Sequence, residues 1–190
     1  DINAITTGNP ILFTPNLKPT PDSVKNILIL GGSLGAKKIN QTIPTIKTPL
    51  NIWHQTGEKH LEEVKTLYAD TMHPEVKIEA FIDNMAEAYA WADLVICRAG
   101  AMTVSELIAS KTIAILVPFP YAIDNHQTIN AELLSKNGAG IIIQEASFNG
   151  EIIDQELLKL DSIKLHEMTK KLELLSVPNP EAIIADYLLY

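Results

Sequence analysis

The sequence predicts an α/β protein built on a Rossmann-like, doubly wound parallel sheet of about six strands. Apolar segments of strand length alternate along the chain with segments of helical spacing. The first apolar segment, Asn26–Leu30, reads N-I-L-I-L and stops at Gly31–Gly32, which is typical of a strand buried on both faces. Polar residues gather where the predicted strands end, and sheets of this kind bind ligands at that edge.

Each predicted strand is followed by a predicted helix. The strands cover Asn26–Leu30, Asn51–Gln55, Val76–Phe81, Asp93–Cys97, Ile113–Val117 and Gly140–Gln144. The helices cover Ala36–Ile46, Glu58–Tyr68, Asn84–Trp91, Val104–Ser110 and Asn125–Lys136. Asp83 is placed to cap the third helix, and Gly138 follows the fifth, where a left-handed residue often ends a helix. From Glu151 to Tyr190 the spacing is helical, with a break at Pro178–Pro180.

Composition limits the classes of function. The chain has 190 residues, which suits one domain or two small ones. Its net charge of −8 argues against a non-specific grip on nucleic acid or anionic lipid, so no nucleic-acid partner is expected. No run of about 18 uninterrupted apolar residues is present, so no transmembrane helix is predicted.

Cysteine and histidine usage gives no sign of a metal site. The single cysteine, Cys97, ends a predicted strand and should behave as a small buried hydrophobe in a reducing compartment. The five histidines are scattered and lack H-x-x-x-H spacing, so no metal is expected.

The chain divides into three predicted parts. Residues 1–25 include a proline-rich, linker-like stretch and are assigned to an interdomain segment, residues 26–175 form the Rossmann-like domain, and residues 176–190 form a C-terminal helix. Because the sequence opens on Asp1 without a signal-like apolar stretch, we expect a fragment or an excised domain.

The loop Gly31–Ala36 has two interpretations. Its glycines could let the backbone approach a phosphate at the start of the following helix, or they could simply make a tight turn. The loop has neither the P-loop pattern nor a full G-x-G-x-x-G fingerprint.

Two later loops combine capping signals with polar groups. Thr103 and Glu106 have the spacing of a capping box, but the Glu106 carboxylate could also accept hydrogen bonds from ribose hydroxyls. Asp124 and Gln127 have the same spacing, while Asn125, His126 and Gln127 together suit sugar hydroxyls. His126 taken alone is more often a solvated residue at a helix start.

Several consecutive motifs resemble the C-terminal half of the MurG family, the bacterial N-acetylglucosaminyltransferases that complete the lipid-linked precursor of peptidoglycan. The motifs follow the family order over about residues 6–145. They are Gly31–Ala36, Asn40–Thr42, Trp53–Gly57, Phe81–Ala86, Ala90–Asp93, Arg98–Glu106, Pro118–Pro120 and Asp124–Gln127.

The resemblance implies the C-terminal, donor-binding half of a GT-B glycosyltransferase, which works by inversion and without a cofactor. The donor is UDP-N-acetylglucosamine. The acceptor is an undecaprenyl-diphosphate-linked muramyl-pentapeptide, bound mainly by an N-terminal domain that this chain lacks. The full-length protein would be peripheral on the cytoplasmic face of the inner membrane, whereas this fragment would be soluble. We expect the general base on the missing domain and little or no turnover by the fragment.

The resemblance also implies roles for individual residues. By this resemblance, Phe81 and Ile82 lie on either side of the uracil, the Ile82 backbone groups bind its edge, and Met85 packs nearby. Glu106 accepts hydrogen bonds from the ribose hydroxyls. The diphosphate and sugar contacts fall to Ser33, Ala101, Met102, Thr103, His126 and Gln127.

One position departs from the family pattern, and the role of one arginine stays open. The family's arginine near the domain start, which reaches the nucleotide, is Leu12 here, so that contact is not carried over. Arg98 could meet phosphate or form a structural ion pair.

Three alternatives to this function remain open. One is another GT-B sugar-nucleotide enzyme, such as a UDP-N-acetylglucosamine 2-epimerase. Another is a dinucleotide-binding oxidoreductase domain, with Glu58 as the ribose-binding acid after the second strand. The third is an interaction module, which the polar residues at the strand ends make less favoured.

Overall fold

A computed structural model describes residues 9–31, 36–177 and 185. The predicted phosphate-loop residue Ser33 lies outside the described residues, as does most of the predicted C-terminal helix. The last described long helix ends at Leu175, and Ser176 after it is extended.

The sheet has six parallel strands in the order β3-β2-β1-β4-β5-β6. The strands are β1 (Asn26–Leu30), β2 (Asn51–Gln55), β3 (Glu75–Glu79), β4 (Leu94–Cys97), β5 (Ala114–Leu116) and β6 (Gly140–Ile142). This order confirms the predicted doubly wound sheet. Because the chain moves outward from β1 to β3 and then returns to β4, the winding reverses between β1 and β4.

Helices connect and cover the strands. They are α1 (Lys37–Thr42), α2 (Leu61–Tyr68), α3 (Met85–Trp91), α4 (Ala101–Ser110), α5 (His126–Lys136), α6 (Gly150–Leu158) and α7 (Ser162–Leu175). Helices α1 and α2 contact each other, and α4 contacts α3, α5 and α7. Right-handed crossovers place these two groups on opposite faces of the sheet.

The core lies around the central strands. All of β4 is buried, and β1 is buried from Ile27 onward. The register pairs Leu30 with Gln55 and with Cys97, so these strands end at one level. The residues that follow them therefore meet at the same edge of the sheet. Cys97 is buried, as predicted.

Four strands differ at their ends from the sequence predictions. Asp93 precedes β4 instead of beginning it, because its carboxylate accepts from the backbone N–H groups of Lys25 (3.0 Å) and Asn26 (2.9 Å). Predicted strand Val76–Phe81 is β3, which ends at Glu79, and β5 and β6 are shorter than predicted.

Three helix caps were also predicted wrongly. The cap of α3 is Asn84 rather than Asp83, since Asn84 Oδ1 accepts from the Glu87 N–H at 3.2 Å. The predicted caps of α4 and α5 are also wrong, because Gly100 and Asn125 are the N-caps. The predicted C-terminal helical region holds α6 and α7, and Asp161 starts α7 by accepting from the Lys164 N–H at 2.8 Å. Gly138 has φ +69° after α5, as predicted for a left-handed helix end.

The segment before β1 packs on the domain. The Lys18 ammonium lies 3.1 Å from Asp93 Oδ1, the Phe13 ring stacks on Tyr89, and Asn9 Nδ2 donates to Ser105 Oγ at 3.0 Å. The predicted linker is therefore irregular in structure but docked against α3 and α4.

Candidate functional site

Two adjoining cavities open at the edge where β1 and β4 end. Their volumes are about 410 and 640 Å³. Gly31, Arg98 and Gln127 line both cavities, so they form one cleft at the point where the winding reverses. Open parallel sheets bind ligands at this position because loops from several strands converge there.

The smaller cavity brings together several residues that the sequence analysis chose separately. Phe81, Met85, Thr103 and Glu106 all line it, together with Gln55 and Gly100. The Phe81 side chain is 58% exposed, so its ring offers an open apolar surface to a flat ligand. An aromatic face, a helix start and a carboxylate thus lie within one cavity.

Ile82 is buried beside Phe81, and its backbone N–H is already engaged. It donates to Gln55 Oε1 at 3.0 Å. The amide half of the predicted uracil contact is therefore satisfied within the protein. The contact through the Ile82 carbonyl stays a prediction.

Helix α4 begins at Ala101, three residues before its predicted start. Gly100 is the N-cap in an extended conformation, with no side-chain capping hydrogen bond, so the Thr103–Glu106 capping box is wrong. Ala101, Met102 and Thr103 form the first turn. Backbone N–H groups at a helix start lack intrahelical partners and carry a partial positive charge, so they can bind an anion beside the cavity.

Glu106 lies one turn further along α4 and is partly buried. Its Oε2 accepts a hydrogen bond from the Tyr89 hydroxyl at 2.9 Å. Burial raises the pKa of the Glu106 carboxyl above its usual value, and the Tyr89 hydrogen bond opposes part of that rise. The Glu106 carboxylate therefore lines the cavity without capping α4, and its ribose contact stays a prediction.

Helix α5 begins at His126 without the predicted capping box. Asp124 and Asn125 both have positive φ, 51° and 54°, and Asn125 makes no side-chain cap. The Gln127 side chain instead accepts from the Phe119 N–H at 3.0 Å, which ties the loop after β5 to α5. Gln127 lines the cleft, and His126 is exposed at the helix start.

The larger cavity holds residues to which the sequence analysis gave no role. They are Lys37, Lys38, Gln41, His60 and Glu145. The position of Lys37 and Lys38 directly after the glycine loop is a signal that could have identified them. Glu145 comes after β6, and nothing in its local sequence marks it.

Arg98 forms a structural ion pair with Glu145. Its guanidinium also donates to the carbonyl oxygens of Val117 (3.0 Å) and Pro118 (3.4 Å). Arg98 thereby fixes the loop after β5 against the end of β6, while still lining both cavities. At the position of the family arginine, Leu12 is 93% exposed.

Two general features of the chain bear on metal and membrane binding. Within residues 9–31, 36–177 and 185, no three His, Cys, Asp or Glu side chains are grouped so that they could hold a metal ion. Over the same described residues, every helix is too short or too polar to cross a bilayer.

The sheet order and the cleft at its switch point define a Rossmann-like domain. The model of the glycosyltransferase family 28 C-terminal domain matches residues 26–182, and the chain belongs to that family.

Two curated relatives of this chain share one name. A UDP-N-acetylglucosamine--N-acetylmuramyl-(pentapeptide) pyrophosphoryl-undecaprenol N-acetylglucosamine transferase from Vesicomyosocius okutanii is 47% identical over 187 residues, which is 98% of this chain and 54% of the relative. The enzyme of that name from Methylococcus capsulatus is 42% identical, covering 91% of this chain and 49% of the relative. The chain spans about half the length of the curated relatives it matches.

Solved structures agree with the fold. The crystal structure of Acinetobacter baumannii MurG is 40% identical and superposes with a TM-score of 0.80, over 88% of this chain and 50% of that one. The calicheamicin glycosyltransferase CalG4, at 17% identity and a TM-score of 0.64 over 93% of this chain and 45% of that one, shares the fold alone. These relatives are transferases, and nothing in them supports the 2-epimerase alternative.

Proposed function

We propose that this chain is the donor-binding domain of an inverting glycosyltransferase that uses UDP-N-acetylglucosamine. The enzyme transfers N-acetylglucosamine to an undecaprenyl-diphosphate-linked muramyl-pentapeptide during peptidoglycan synthesis. The observation that carries the proposal is the smaller cavity, where Phe81, Thr103 and Glu106 line one space at the switch point. The curated relatives that are named for this activity support it.

One orientation of the donor in the cleft is proposed. The uracil packs on Phe81 near Ile82 and Met85, and the ribose hydroxyls donate to the Glu106 carboxylate. The diphosphate lies at the α4 start, where Ala101, Met102 and Thr103 present their backbone. The acetamido sugar then extends toward Gln127 and His126, at the entrance to the larger cavity.

The reaction needs stabilisation of charge on the departing UDP. An acceptor hydroxyl attacks the anomeric carbon, the glycosidic C–O bond to the diphosphate breaks, and negative charge grows on the diphosphate. Helix N–H groups fixed in advance stabilise that charge, and losing one such donor typically costs about 3–4 kcal/mol in the transition state. Ser33 is proposed as a further diphosphate contact from the motif match.

The remaining functions fall to the part of the relatives that this chain does not match. We assign the general base and most acceptor contacts to that part. The proposed lipid acceptor places the complete enzyme peripherally on the cytoplasmic face of the inner membrane.

Isothermal titration of the 190-residue chain with nucleotides tests the proposal. We expect UDP and UDP-N-acetylglucosamine to bind and NADH not to bind. Glu106→Gln should weaken UDP binding by about tenfold or more, because a charged hydrogen-bond acceptor is lost. Glu62→Gln, on the exposed face of α2, is the matched control and should change nothing. Absence of UDP binding, or tighter binding of NADH, would overturn the proposal.

A further inference from the structure

We propose that Tyr89 is a positioning residue for the nucleotide site, because its hydroxyl holds the Glu106 carboxylate in the orientation that receives the ribose hydroxyls. The inference rests on the proposed function and assigns a role to a residue outside the donor contacts described above. It identifies which part of the protein determines the affinity for the ribose.

The contact itself is directional. The Tyr89 O–H donates to Glu106 Oε2 at 2.9 Å. A phenol has a single proton to donate, and a hydrogen bond to an ionised carboxylate is shorter and stronger than one between neutral groups. The bond therefore fixes one carboxylate oxygen and with it the plane of the group, while Oε1 is left for a second donor.

Tyr89 can hold this position because its own ring is fixed. The side chain is 2% exposed, and the Phe13 ring stacks on it with 5.6 Å between centroids and 17° between planes. Burial and the neighbouring Glu106 raise the pKa of Tyr89 well above its usual value, so the hydroxyl stays protonated. A rigid ring with a permanent donor is suited to orienting a neighbour.

Two properties of Glu106 make an orienting partner useful: its side chain is flexible, and burial opposes its ionised form. A glutamate side chain has several rotamers, and ordering it when the ligand arrives costs conformational entropy. The hydrogen bond from Tyr89 orders the Glu106 side chain before the nucleotide binds, so less entropy is lost on binding. It also favours the ionised form, which accepts from both ribose hydroxyls, against the opposing effect of burial.

The segment before β1 contacts both helices that carry this hydrogen bond. Ser105, next to Glu106, accepts from Asn9 Nδ2 at 3.0 Å, so the segment that brings Phe13 onto Tyr89 also binds beside Glu106. The same segment thus contacts both the Tyr89 ring and the turn of α4 that carries Glu106.

A thermodynamic cycle between protein and ligand tests the inference. The variant is Tyr89→Phe, which keeps the ring and the Phe13 stack and removes the hydroxyl. The probes are UDP and 2′,3′-dideoxy-UDP, which lacks both ribose hydroxyls. We expect Tyr89→Phe to weaken UDP binding by about fivefold to tenfold and to leave dideoxy-UDP binding within about twofold. A merely structural Tyr89 would weaken both ligands equally.

Tyr68→Phe is the matched control. Tyr68 is also buried and lies on α2, on the other face of the sheet from Tyr89, and its hydroxyl bonds to His54 on β2. Its removal tests loss of a buried phenol hydroxyl without touching Glu106, and both affinities should stay unchanged.

Glu106→Gln separates this inference from the function on which it rests. If Glu106→Gln leaves the preference for UDP over dideoxy-UDP intact, Glu106 does not bind the ribose and the proposed function fails at that residue. If Glu106→Gln abolishes the preference while Tyr89→Phe preserves it, the function stands and the role of Tyr89 is wrong. Equal loss of affinity for both ligands in Tyr89→Phe would also overturn the inference.

Discussion

The side chain of Gln55 accepts a hydrogen bond from the backbone N–H of Ile82 at 3.0 Å. Gln55 ends β2 and Ile82 lies in the loop after β3, so this bond ties two loops of the carboxyl edge together. Both residues are buried, and Gln55 lines the smaller cavity. The position of Phe81, the proposed uracil platform, therefore depends on a side chain from the neighbouring strand.

Gln55→Met should destabilise the protein and weaken nucleotide binding. The substitution leaves the buried Ile82 N–H without its acceptor, which costs about 1–3 kcal/mol of unfolding free energy. Chemical denaturation measures that cost, and titration with UDP measures the affinity. Gln155→Met, exposed on α6, is the control and should stay within about 0.5 kcal/mol of the parent. Unchanged UDP affinity in Gln55→Met would show that the Phe81 loop does not depend on this bond.

Arg98→Met should lower the unfolding free energy by about 2 kcal/mol, because it leaves the partly buried Glu145 carboxylate and two backbone carbonyls without their donor. Lys136→Met, which breaks an exposed ion pair on α5, should cost no more than about 0.5 kcal/mol. Urea denaturation compares the two variants. Equal small losses would mean that the ion pair has little structural weight and would favour a phosphate contact for Arg98.

Binding of UDP-N-acetylglucosamine should weaken as the pH falls through the pKa of Glu106. Burial raises this pKa, so the loss should begin at higher pH than for an ordinary glutamate. The sign follows because only the ionised carboxylate accepts from both ribose hydroxyls. The other titratable groups around it are Tyr89 on α3 and Cys97 on β4, whose pKa values burial raises, and Arg98, which lines the same cavity.

Titration calorimetry between about pH 5 and 8 measures this change in affinity. UDP-N-acetylglucosamine is the ligand because its diphosphate is esterified at both ends and does not itself titrate in this range. Glu106→Gln is the control and should give weak binding that varies less with pH than binding to the parent protein. An undiminished pH dependence in Glu106→Gln would assign the titration to another group.

His54 should make the protein less stable in acid. It is buried, its Nε2 lies 3.0 Å from Asn40 Oδ1 and its Nδ1 lies 2.9 Å from the Tyr68 hydroxyl. Since Asn40 Nδ2 donates to the Thr56 carbonyl, Asn40 Oδ1 is the acceptor that faces His54, so Nε2 carries a proton and donates to it. Burial lowers the pKa of His54 to about 3 in the folded state.

The unfolded chain therefore binds a proton at His54 before the folded chain does. The stability due to the neutral ring is complete above about pH 6.5 and is lost progressively as the pH falls toward the folded pKa, by about 1 kcal/mol per pH unit. Urea denaturation between about pH 4 and 7 measures this slope. His54→Gln should flatten it, whereas His166→Gln, at an exposed position on α7, should leave it unchanged. Equal slopes in the parent and His54→Gln would contradict this account of the acid sensitivity.

The positions of the strands could be predicted from the sequence because they depend on local residue patterns. β1 has the predicted bounds because its apolar run is closed by Gly31, and β2, although its sequence N-I-W-H-Q is mixed, also has the predicted bounds. The helix starts were predicted less well, because capping spacing alone does not fix the first turn. Helix α4 begins at Ala101, before Thr103, and α5 begins at His126, after Asp124.

The contacts that build the site could not be predicted from local patterns. Glu106 was chosen from the sequence, but its partner Tyr89 lies on another helix, and spacing says nothing about which helices meet. The same holds for Arg98 and Glu145, which come together because β4, β5 and β6 are neighbours in the sheet. The motifs pointed to Phe81, Met85, Thr103, Glu106 and Gln127, which line the cleft, whereas the hydrogen bonds that orient them needed the fold.

The central claim is that the nucleotide binds where β1 and β4 end, and backbone NMR of the ¹⁵N-labelled chain during titration with UDP tests it most directly. We predict saturable shift changes concentrated at Gly31, at 81–85 and at 100–106, with His166 and the rest of α7 unaffected. Shift changes concentrated elsewhere, or none at millimolar UDP, would contradict the account.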